Sequence, residues 1–180
     1  MSSTTAPELW ATIARDAIAE SSIWGAALRP EPERECEQVF SPLAEEPFQL
    51  GIETIYEGYL VHYGTPRLFA LVDQDTALLL GDYLYAHGLV RIAACGSVDA
   101  VANLSELISL SSQLRAEEAE GDGVLWAATA ALLGDPAKLD APRAALRLRG
   151  DIAPLDETAR AAAGDDAVER SLAAHRGRLR

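Results

Sequence analysis

Carboxylates are the chief chemical resource of this chain, which carries 28 Asp and Glu against 15 Lys and Arg. Asp73, Asp75 and Asp82 stand close enough in sequence to suggest a divalent-cation cluster, because hard cations take oxygen ligands. On a helix, however, Asp73 and Asp75 lie about 200° apart, and Asp75 and Asp82 share a face two turns apart. The three converge only with help from another helix. A second candidate, Asp165-Asp166 with Glu169, has the form DDxxE but lacks an apolar run before it. His62 and His87 have no nucleophile or carboxylate at motif spacing. Cys36 and Cys95 lack both a CxxC pattern and a histidine partner. The expectation for these side chains is structural: no metal ligands, satisfied histidines and two reduced thiols.

The elements that carry them read as helices. Ala and Leu dominate, and aromatic residues make up 6% of the chain, so helix formers outnumber strand formers. All-α is the expected fold class. Helix 1 is expected from Pro7, preceded by Thr4 or Thr5, to about Trp24, with Gly25 ending it. A loop rich in Pro and Glu then leads to a short helix bearing Val39 and Phe40. From Phe48 to Tyr63, apolar residues recur at three and four, and Gly64 stops the run. The stretch 76–96, entered by way of Leu68, Phe69, Leu71 and Val72, is apolar nearly all round. That pattern predicts a buried central helix with partners on several sides. Ser97 should cap the next helix, whose stripe includes Leu104, Leu107 and Ile108. Residues 124–133 form a further short helix, and residues 141–180 read as weakly apolar amphipathic helices that dock or fray.

Charge narrows the partners. Residues 141–180 carry a net +2 and the rest of the chain −15. Such a body repels nucleic acid and anionic membrane surfaces. No apolar run of about twenty residues is present, and the first residues lack a basic start and a hydrophobic signal core. A cytoplasmic protein without membrane insertion is expected, organised as a bundle over 1–140 with an Arg-rich extension over 141–180.

Three segments stand in a telling order: GAALRP at 25–30, IETIYEGYLVH at 52–62 and GDYLYA at 81–86. Together they resemble the trans-isoprenyl (polyprenyl) diphosphate synthase family, whose members read roughly GKRLRP, then a helix ending in an aspartate-rich motif, then a G-x-P turn, then GDyLla. Glu53, Ile55, Leu60 and His62 match without a gap, and so does the spacing from Gly64-Thr65-Pro66 to Gly81-Asp82. The resemblance spans about residues 8–134 and implies a shortened helical bundle of the isoprenoid synthase type. It also implies that Gly58 and Tyr59 occupy positions that set prenyl chain length in the family, with His62 and Tyr63 beside them.

The departures from that pattern carry the functional expectation. Ala26-Ala27 replace the family's Lys-Arg pair. Tyr63 stands where the first metal-binding aspartate belongs, and the rest of that motif is missing. The sole lysine is Lys138. Family members ionise an allylic diphosphate by stabilising its departing charge, and losing even one such contact costs about 3 kcal/mol. The resemblance therefore implies a subunit with no catalytic residues and no cofactor of its own, paired with a catalytic prenyl diphosphate synthase or with itself. Asp82, Tyr83, Tyr85, Leu104 and Ile108 would lie at the subunit interface. The alternatives are an isoprenoid- or lipid-binding module without turnover, and a divergent magnesium-dependent prenyltransferase.

Overall fold

A computed structural model describes residues 6–70 and 73–179. They form an all-α bundle. The helices are α1 (Ala6–Glu20), α2 (Ser22–Ala27), α3 (Gln49–Tyr63), α4 (Gln74–Ala94), α5 (Val98–Ala116), α6 (Asp122–Ala131), α7 (Pro136–Arg149), α8 (Ala153–Ala163) and α9 (Asp165–Arg176). Local chemistry sets several starts. Ser97 Oγ accepts from the Ala100 N–H at the head of α5, as expected, and Asp73 caps α4 through the Thr76 N–H and hydroxyl.

The element at the centre is α3 and not α4. Every α3 residue from Gly51 to Val61 is buried, whereas α4 buries only Leu80, Gly81, Leu84, Gly88 and Ile92. The reading of 76–96 as a helix enclosed on several sides is thus corrected. Its apolarity continues onto an exposed stripe of Leu78, Leu79, Ala86, Val90 and Ala93. Burial is divided between two hydrophobic clusters. The larger joins α3, α5 and α6 to Leu139, Leu146, Leu155, Ala159, Val168 and Leu172, so residues 141–179 are docked on the bundle. The smaller packs Leu9, Trp10 and Ile13 of α1 against Val61, Leu68, Phe69, Leu80 and Leu84.

Three local expectations also change. The first helix breaks at Ser21, whose hydroxyl accepts from the Ile23 N–H to start α2, and Gly25 lies inside that second helix. Val39 and Phe40 sit outside any helix, between short 3-10 turns at 31–33 and 41–43. Leu68 and Phe69 do not lead a helix in: Phe69 bridges Leu28 in extended form. Thr4, Thr5, Leu71 and Val72 lie outside the described residues.

The extensive α3–α4 contact depends on glycine. A Cβ on Gly58 would stand 2.9 Å from the Gly81 carbonyl oxygen, and one on Gly81 would stand 2.3 Å from the His62 ring. Alanine gains about 1 kcal/mol of helix propensity over glycine. Overpacking against a backbone atom costs about 1–3 kcal/mol, and here it can be relieved only by parting the helices. Gly58→Ala is therefore expected to lose up to about 2 kcal/mol in urea unfolding. Gly134→Ala, with nothing near the added methyl, should stay close to wild type.

Candidate functional site

The four residues singled out on α3 do not converge. Gly58 and His62, four apart, turn toward α4, where Gly58 meets Gly81, Leu84 and Tyr85. His62 Nε2 lies 3.4 Å from Asp82 Oδ1, and burial lowers the His62 pKa against the opposing pull of that carboxylate. Tyr59 and Tyr63, also four apart, face another side of the bundle. Gly58 is thus placed as a packing residue against α4.

On the Tyr59 side a buried aromatic cluster fills the space between α3 and α6. The Tyr56, Tyr59, Phe40, Trp126 and His175 rings lie 5.1–6.0 Å apart, centroid to centroid. At its end sits a polar group that the sequence reading missed. The Tyr59 hydroxyl donates to Asp122 Oδ2, and Arg115 Nε donates to the Tyr59 oxygen at 2.7 Å. Arg115 Nη2 and His175 Nε2 lie 3.0 and 3.4 Å from the same Asp122 oxygen. Tyr56 Oη pairs with His175 Nδ1 at 2.9 Å. Burial on its own would raise the Asp122 pKa, but the His175 and Tyr59 contacts and the Arg115 charge outweigh it and bring it down to about 2. Burial pushes the Tyr56 and Tyr59 hydroxyls far above the ordinary phenol value.

Above this floor opens a cavity of about 770 Å³, bordered by Tyr63, the 118–124 segment, Ile152, Leu172 and Leu179. Gly121, at φ 115°, takes the left-handed conformation that lets the chain turn from α5 into α6 here.

No model of a known protein family, no curated protein and no solved structure matches the chain. What the site can do must therefore be read from its own groups. Among the described residues, no group of three or more His, Cys, Asp or Glu could hold a metal ion. Asp73 is engaged in capping α4, and Asp82 faces His62. Asp165 and Asp166 lie in the first turn of α9, where Asp165 is 3.8 Å from Arg160 and Glu169 is bonded by Arg176 and Arg160. Asp73, Asp82, Asp165 and Glu169 thus each have a local partner within the protein.

The expected interface residues are also divided. Asp82 is exposed, and Tyr83 stacks on Trp24 and pairs with His87 Nδ1 at 2.8 Å. Tyr85 leans on His62. Leu104 is buried in this chain's own core and Ile108 is packed against it, so α5 turns other residues outward: Val98, Ala102, Ser105 and Ser109. Among the described residues, no helix is long and apolar enough to cross a membrane.

Proposed function

We propose that this chain is a non-catalytic subunit that binds a catalytic prenyl diphosphate synthase and supports its activity or the length of its product. The observation that carries the reading is the outer face of α4 and its junction with α5. Leu79, Val90 and Val98 are 60%, 64% and 82% exposed, and Ala86, Ala93 and Ala102 lie among them. Beyond Asp82 no charged residue interrupts the exposed stripe of α4, in a chain whose net charge is −13. An apolar strip of this kind on an acidic protein suits a protein partner. The resemblance to prenyl synthases supplies the partner class, since GDYLYA lies on the same helix and the diphosphate-binding elements are missing. A carrier reading requires an open tunnel along α3, and the ring cluster of Tyr56, Tyr59 and Trp126 occupies that space.

The test is to mix the chain with the prenyl diphosphate synthase of the same organism and to measure complex formation, turnover and product length. Leu79→Glu with Val90→Glu is expected to weaken the complex by about tenfold or more while leaving the helical circular dichroism unchanged. No complex, and no change in turnover or product length, would refute the reading.

A further inference from the structure

The cavity over Asp122 plays no part in the subunit reading, because it opens on the Tyr59–Tyr63 side of α3 and α4 packs on the Gly58–His62 side. Its volume falls within the roughly 300–1,000 Å³ typical of small-molecule sites. Val124, Ile152, Leu172 and Leu179 give it an apolar wall beside the Tyr63 ring.

The two oxygens of Asp122 differ. Tyr59, Arg115 and His175 all converge on Oδ2. Oδ1 accepts no hydrogen bond, yet it is not sealed in the core: the side chain keeps 11% of its surface, and Asp122 borders the cavity. A carboxylate offers about four acceptor sites over its two oxygens and no donor. With its pKa held at about 2, Asp122 is ionised at neutral pH. One oxygen of a largely buried carboxylate is therefore open to the cavity, and what it lacks is a donor.

Charge decides which donor. Arg115 is matched by Asp122 itself and meets it at Oδ2, and Glu169 holds Arg176 at 2.9 Å. Glu118 and Glu120 also line the cavity, both exposed, and among the described residues neither has a cation paired with it. The chain as a whole carries −13. An anionic head group is repelled by these surroundings, an alcohol gains only the hydrogen bond, and an ammonium gains both the bond and the field. We propose that this cavity binds an amphipathic amine, whose protonated nitrogen donates to Asp122 Oδ1 while its apolar body lies along Val124, Ile152, Leu172 and Leu179.

Octylamine, octanol and octanoate, titrated calorimetrically into the full chain at pH 7, separate the head groups. Octylamine is expected to bind at one equivalent, octanol about tenfold more weakly, and octanoate more weakly still. Leu179→Trp, which fills the cavity from its wall and leaves Asp122 intact, should abolish octylamine binding. Glu118→Gln/Glu120→Gln, at exposed positions, should weaken octylamine about three- to fivefold and leave octanol unchanged. Asp122→Asn should weaken octylamine about tenfold or more where circular dichroism shows the fold retained. Octanol or octanoate binding as tightly as octylamine, no binding of any probe, several equivalents of octylamine bound alike, or unchanged octylamine affinity in Leu179→Trp would each overturn the proposal.

Discussion

Arg67→Met is expected to destabilise the protein by about 3–5 kcal/mol, the cost of leaving buried charges without their partner. Arg67, Glu53 and Glu57 are fully buried. Arg67 Nη1 donates to Glu53 Oε2 at 2.6 Å and Nε to Glu57 Oε2 at 2.9 Å, while the guanidinium lies 4.3 Å over the Trp10 ring. Burial alone would lower the Arg67 pKa, and the two carboxylates reverse this and raise it. The remaining carboxylate oxygens are occupied too. Glu53 Oε1 accepts from the Val39 and Ser41 N–H groups, and Glu57 Oε1 from those of Arg67 and Leu68. Many buried ion pairs can be replaced by apolar residues at no loss. Here an apolar triple replacement would also strip acceptors from four backbone donors, so Glu53→Leu/Glu57→Leu/Arg67→Met should not recover wild-type stability. Glu53→Gln/Glu57→Gln/Arg67→Met keeps carbonyl acceptors for those donors and removes the charges, and should be more stable than Arg67→Met alone. Urea unfolding at one pH ranks the variants. A loss below about 1 kcal/mol in Arg67→Met would show that the glutamates relax without their cation.

That cluster marks the boundary of what the sequence made legible. The span and end of α3 could be read from apolar spacing and Gly64, and the head of α5 from Ser97, because periodicity and capping are local properties. The burial of α3 on every side could not be read that way. Glu53 and Glu57 punctuate it as though one face were wet, and only Arg67, brought back by the Gly64-Thr65-Pro66 turn, makes them tolerable inside. The signal available was two acids four apart in an otherwise apolar run, followed ten residues later by an arginine. The reverse error befell α4, where apolar residues on all sides suggested enclosure. Composition records which residues avoid water, not which helix supplies the cover, and here the outer face of α4 has no cover among the described residues. The Asp122 group was missed for a third reason. Its members come from α3, α5, α6 and α9, and no motif spacing connects residues 59, 115, 122 and 175.

Asp122→Asn supplies the second large effect, and its sign depends on pH. The Asp122 carboxyl is held at about 2 in the folded chain against an ordinary value of 3.8. A carboxylate whose folded pKa is lowered adds stability that is complete above the unfolded value and is lost as pH falls through the folded one. The difference corresponds to about 2 kcal/mol at neutral pH. Asn keeps the size of the side chain but carries no charge for Arg115, and its amide adds N–H groups to a floor already crowded with donors. Wild type should therefore exceed Asp122→Asn by about 2 kcal/mol from pH 7 down to about 5, and the two should converge as pH approaches 2. Urea unfolding across that range measures the gap directly. A gap that stays constant with pH would assign the loss to shape and hydrogen bonding, and no gap at pH 7 would mean that Arg115 and His175 find other acceptors. Because His175 ties α9 to Tyr56 of α3 and stands beside Asp122, the same substitution should loosen α9 first. Amide exchange in residues 165–176 should then accelerate more than in α3, where Glu53, Glu57 and Arg67 remain in place.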